Sequence, residues 1–166
     1  MNNARAASLV LALVAVPAGA ADFVANERNV SADGAMAALR AALDACRKEG
    51  QKVSVTVVDA AGRVKASVRD DGAAPHTEVH SMRKAYTALS YRMPSAEYGK
   101  RAQEAKGVAI GPQLLPNITT AAGGVPIKVD GVTIGAVGVS GTPSSAGGGE
   151  GDAKCAAIGA RAVVDK

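Results

Sequence analysis

The stretch Gly123–Gly141, GGVPIKVDGVTIGAVGVSG, decides the fold. Two apolar runs rich in β-branched residues, Val125–Val129 and Val132–Val139, flank the dipeptide Asp130-Gly131. That dipeptide suits the left-handed conformations of a tight hairpin turn, so the two runs read as antiparallel strands. In the second run glycines alternate with aliphatic residues, Ile134-Gly135-Ala136-Val137-Gly138-Val139. Such a strand invites another element to approach closely on its glycine face.

A second hairpin lies upstream. Val53–Val58 is almost wholly β-branched, as expected for a strand covered on both faces. Asp59-Ala60-Ala61-Gly62 is a turn signal, and Val64–Val68 is the return strand. Helices surround the hairpins. Val30–Arg47 carries Met36, Leu39, Leu43 and Cys46 at helical spacing, with Ser31 as N-cap and Gly50 at its end. After Asp71-Gly72, Pro75 suits the first turn of a helix whose buried stripe is Val79, Met82, Tyr86, Leu89 and Met93. Pro94 stops it, and Ser95 is placed to cap a shorter helix over Ala96–Glu104. Gly107–Ile110 reads as a short strand, Gly111–Thr120 as an ordered loop and Ser144–Gly151 as a flexible one. Asp152 is expected to cap a last helix, Ala153–Val164. The order α-β-β-α-α-β-β-β-α, with hairpins in place of βαβ crossovers, predicts an α+β domain: an antiparallel sheet flanked by helices.

The chain has 166 residues, enough for one domain, with one Phe and no Trp. Its core must therefore be built from small aliphatic side chains. The net charge of +4 comes from scattered Lys and Arg, without the basic stripe and stacking aromatics of a nucleic-acid surface. Residues 1–21 have the form of a secretory signal peptide: Arg5, the small apolar run Ala6–Val16, then Ala18-Gly19-Ala20. The run is shorter than the roughly 20 residues that cross a bilayer. Cleavage after Ala20 or Ala21 would leave a single periplasmic or secreted domain, residues 22–166 in the second case, with no later segment fit to be a membrane anchor.

Cys46 and Cys155 match no zinc or CxxC spacing. In an oxidising compartment they can pair, and two separate buried thiols fit the same sequence. If the first and last helices lie antiparallel on one face, the two cysteines meet, which favours the disulfide.

The chemistry of the chain centres on Asp70–Arg92, which holds both histidines. His76-Thr77-Glu78-Val79-His80 puts two imidazoles one helical turn apart. Neutral imidazole ligates zinc, copper and haem iron. The glutamate position excludes the HExxH protease arrangement, and the lack of further ligands at matching spacing argues against structural zinc. Two surface histidines near a helix start satisfy the same pattern. A haem site with one histidine ligand needs an apolar slot and propionate partners; Met82 and Met93 could supply the first, Arg83 and Lys84 the second. Taken alone, Arg83 and Lys84 are better explained by a solvated helix face. Gly123-Gly124-Val125-Pro126 and Ser140-Gly141 lack the P-loop lysine and the GxGxxG pattern, so they read as turns. No nucleophilic triad is suggested.

Five blocks in order resemble the GlcG/HbpS-like family. They are Asp59-Ala60-Ala61-Gly62, Arg83-Lys84-Ala85-Tyr86-Thr87-Ala88, Gly123-Gly124-Val125-Pro126-Ile127, Ile134–Gly141 and Asp152…Ala156. The resemblance implies a profilin-like α+β fold with an antiparallel sheet of about five strands, and assembly into dimers or larger homo-oligomers. It also implies haem binding, as haem b, with links to haem sensing, storage or degradation and to iron.

Chemistry then places the ligand. His76 is the preferred axial residue because it precedes the helix body, and His80 is the reserve. Arg83 or Lys84 would meet the propionates, and Tyr86 would pack at the pocket floor. The other reading is a protein or enzyme that takes a small organic acid in the same cleft, using Lys84 and Arg83 as an anion clamp.

Overall fold

A computed structural model describes residues 23–105, 115–143 and 149–165. The elements in chain order are α1 (Ala32–Lys48), β1 (Ser54–Asp59), β2 (Val64–Arg69), α2 (His76–Tyr91), α3 (Ser95–Glu104), β3 (Gly124–Val129), β4 (Val132–Ser140) and α4 (Glu150–Val164). The strands form one antiparallel sheet in the order β2-β1-β4-β3. Both expected hairpins are present, and the central pair β1–β4 closes the sheet between them. The sheet therefore has four strands among the described residues. The expected strand over Gly107–Ile110 and the leader lie outside them.

Alternation along β1 and β4 sorts the two faces. Val55, Val57, Val137 and Val139 point to the face covered by α1 and α4, and join Leu39, Leu43 and Ile127 in the main core. Ser54, Thr56 and Val58 of β1, and Ala136, Gly138 and Ser140 of β4, point to α2. The helices α1 and α4 run antiparallel: Cys46 is bonded to Cys155 with Cα atoms 5.7 Å apart, and Gly159 packs beside Ala38 and Ala42. The disulfide thus has the geometry expected of it.

The α2 face differs from the expectation. Its buried residues are Thr77, Ser81, Lys84, Ala85, Thr87 and Ala88, while Val79 is largely exposed and Met82, Tyr86, Leu89 and Met93 are only partly buried. The reason is the close approach of the backbones. A Cβ on Gly138 would run into the Ser81 carbonyl, and one on Gly124 into the Lys84 carbonyl. Only small side chains fit beneath a helix held so close, so its large apolar residues are pushed to the flanks.

Hydroxyl groups stitch this seam. Ser54 Oγ lies 2.8 Å from Thr77 Oγ1, and Thr56 Oγ1 lies 2.8 Å from Ser81 Oγ and 2.9 Å from Ser67 Oγ.

Three further local expectations are corrected. Met36 faces solvent, because Ala35, Ala38 and Ala42 complete the buried stripe of α1 with Leu39, Leu43 and Cys46. Ser95 is the first residue of α3, behind Pro94; its hydroxyl donates to the Ala121 carbonyl and accepts from the Gly124 amide. Gly149 caps α4, so Glu150 and Gly151 belong to its first turn and Asp152 is free for another partner. The Ser31 cap of α1 is as expected, with its Oγ accepting from the Gly34 amide at 3.0 Å.

Candidate functional site

Residues spaced by four stack along one side of a helix. On α2 this row is His76, His80 and Lys84, and it descends from solvent into the protein: exposed, half-buried, then 2% exposed. It runs along a cleft of about 770 Å³. One wall is Gly50–Lys52, just after α1; the other is Ser140–Pro143 with the start of α4.

The floor is a buried ion pair. Lys84 Nζ donates to Asp152 Oδ2 at 2.7 Å, and Asp152 Oδ1 accepts from the Thr142 amide at 2.9 Å. Both side chains are less than 5% exposed. Two buried charges are tolerated only when each answers the other. Gly123 makes room for them: its φ of +126° suits glycine, and a Cβ there would strike Lys84 Cδ and Asp152 Cβ.

His80 sits above the ion pair. Its Nδ1 is 3.3 Å from Ser140 Oγ and its Nε2 is 3.4 Å from Thr119 Oγ1. Burial, then the positive charges of Lys84 and Arg83, hold its pKa below the ordinary histidine value. A neutral imidazole keeps a lone pair available at physiological pH. His76 stands at the rim and makes no side-chain hydrogen bond among the described residues.

The cleft therefore brings together His76, His80 and Lys84. It does not include the other two candidates. Arg83 donates from Nη2 to the Ile118 carbonyl at 2.7 Å and fastens the loop that follows Leu115. Tyr86 covers Gly62 in a separate groove of about 280 Å³, lined also by Ala60, Leu89 and Arg92. Met82 and Met93 line neither hollow.

Asp152, Ser140, Thr119 and Lys52 are the site residues that sequence reasoning missed. Asp152 stands 68 positions from Lys84, and a carboxylate at a helix start is ambiguous between a cap and an ion-pair partner. Its membership in the block Asp152…Ala156 was the available signal. Among the described residues no group of three or more His, Cys, Asp and Glu side chains could hold a metal ion. None of the described helices is long and apolar enough to cross a membrane.

Fold and site together define a single-sheet α+β domain with a polar cleft whose floor is an ion pair and whose rim is an imidazole. The family model described as "Haem degrading protein HbpS-like" matches residues 30–161, and the chain belongs to that family. It is 35% identical over 106 residues to the protein GlcG of Escherichia coli K12, across 64% of this chain and 77% of GlcG. A double mutant of HbpS from Streptomyces reticuli has a similar structure: TM-score 0.77, 34% identity, covering 92% of this chain and 97% of that one. The PduOC:heme complex is also similar, with TM-score 0.70 and 25% identity over 81% of this chain and 94% of that one.

Proposed function

We propose that this chain is an exported haem-binding protein, with His76 as the axial ligand at the mouth of the cleft. The observation that carries this reading is the exposed imidazole of His76, one turn above His80 in a cleft of about 770 Å³. The HbpS-like family and the haem complex of PduOC support the choice of ligand.

Haem asks for an axial donor, an apolar slot and cations for its propionates. With Met82 and Met93 outside the cleft, the slot would be made of small side chains and bare backbone. The residues present fit those needs. His76 and, behind it, His80 are the donors, and Gly50, Gly72, Ala74, Ala121, Ala122 and Gly141 give walls without bulky side chains. Lys84 is committed to Asp152 and Arg83 to the Ile118 carbonyl, so Lys52, exposed on the opposite wall, is the cation that would meet a propionate. Both cysteines are in the disulfide, leaving no thiol for covalent attachment, which supports haem b. When bound, haem would supply a redox-active iron. The chain's own part is to hold it, with His80 kept neutral as a second donor.

A disulfide persists in an oxidising compartment, and this supports export together with the form of residues 1–21. Assembly into a dimer or larger oligomer belongs to the same proposal. Among the described residues β2 and β3 are the outer strands of the sheet, and these together with the exposed Val64 and Val132 support it. A small organic acid in the same cleft is disfavoured by charge, since the Lys84–Asp152 pair offers an anion no uncompensated cation at the floor.

Titration of the mature chain with haemin, followed at the Soret band, tests the proposal. A one-to-one endpoint is expected, with binding weakened and the spectrum changed in His76→Ala. An absence of haemin binding overturns the function. Binding untouched by both His76→Ala and His80→Ala overturns the site.

A further inference from the structure

We propose that His76 and His80 form a chelate for an aquated divalent transition-metal ion, copper(II) foremost, at the rim of the cleft. Four-residue spacing puts them on one face of α2, where Cβ atoms of such pairs lie about 5–6 Å apart. Both line the same cleft, so an ion held between them has access to solvent for its remaining ligands. The nitrogens are available. His76 makes no side-chain hydrogen bond among the described residues, and the two hydroxyl contacts of His80, at 3.3 and 3.4 Å, are long enough to yield to a metal bond.

Asp152 answers the charge of Lys84, and Arg83 is turned toward the Ile118 carbonyl; the repulsion they still exert at His80 has to be met by the two metal–imidazole bonds. Across the cleft Lys52 is an exposed lining residue, so its charge is screened by water.

With no third His, Cys, Asp or Glu gathered among the described residues, this is an open two-nitrogen site that exchanges its metal. Imidazole donors suit copper, nickel and zinc, and copper(II) heads the affinity order. The chelate shares His76 with the proposed haem site, yet needs no haem to form.

Calorimetry and electron paramagnetic resonance on tag-free, haem-free and metal-free protein, with copper(II) sulfate as probe, test it. Wild type should bind one ion with a two-nitrogen signature. His76→Ala, an exposed position that leaves folding intact, should weaken binding at least about tenfold, the scale at which even outer-shell changes register. His80→Ala should do the same, and the double variant should lose the two-nitrogen signal. Wild-type affinity in His76→Ala, or a two-nitrogen signal in the double variant, overturns the chelate. Haemin titration of the same variants separates the two readings. If His76→Ala abolishes copper binding and leaves haemin binding intact, the chelate stands and the axial assignment falls. If it weakens haemin and not copper, the chelate falls and the haem site stands.

Discussion

Gly124 and Gly138 face each other across β3 and β4, and α2 rests its backbone on both. A methyl group at Gly138 meets the Ser81 carbonyl and the Ala85 amide nitrogen, neither of which can move without lifting the helix. Gly138→Ala should therefore cost at least about 1–3 kcal/mol, the range for overpacked interiors. Urea unfolding monitored by circular dichroism measures it, and an unchanged midpoint would refute the close approach. Gly131, whose added Cβ meets nothing but whose φ is +77°, provides a control dominated by backbone strain.

Breaking the cleft floor from one side should be worse than removing it. Lys84→Met leaves Asp152 buried without its partner and should destabilise by about 3–5 kcal/mol. The double variant Lys84→Met/Asp152→Leu should lose clearly less than the two single losses added together, because no lone charge remains. A double-mutant cycle in urea reads the coupling, and additive losses would rule the pair out as a unit.

Cys46→Ser/Cys155→Ser opens a loop of 109 residues in the unfolded chain. The chain-entropy model gives a loss of about 4–5 kcal/mol. The cysteines also sit beneath the two walls of the cleft: Gly50–Lys52 follow Cys46, and Asp152 precedes Cys155 by one turn. The same variant should bind haemin more weakly at temperatures where it is still folded. Equal affinity in folded wild type and variant would show that the bond serves stability alone.

The folded state holds the pKa of His80 below that of the unfolded chain. The unfolded state therefore takes up the proton first, and stability falls as pH drops below the ordinary histidine value of about 6.5. The loss levels off once pH passes the lower, folded value. Unfolding free energies measured from pH 7.5 to pH 5 should show this decline, and His80→Gln should remove that part of it. An identical pH profile in the variant would place the acid sensitivity elsewhere.

Both hairpins were legible because their signals are local: Asp130-Gly131 and Asp59–Gly62 dictate the turns regardless of what packs on them. The face of α2 was not legible. Val79, Met82, Tyr86, Leu89 and Met93 form a regular apolar stripe, and such a stripe usually marks the core. Here the glycines on β3 and β4 set the helix so close that Ala85, Ala88 and Ser81 took the buried positions. The glycine pattern in Ile134–Val139 announced a close neighbour without saying that the neighbour was α2. Within the site, the row His76, His80, Lys84 follows from spacing on one helix. Asp152, Ser140 and Thr119 reach it from elements distant in sequence, and one-dimensional spacing carries no record of such meetings.

The hydroxyl seam between β1 and α2 has a consequence for how this cleft can change over time. Ser54 with Thr77, and Thr56 with Ser81, act as pegs that index the helix along the strand, since sliding by one turn would part both pairs at once. Oily contacts of equal area would tolerate such sliding; directional bonds do not. The height of the rim above the ion pair is thus set by residues that never touch a ligand. Position 76, lying outward of the pegs, can be exchanged for another donor without disturbing the gauge that holds it.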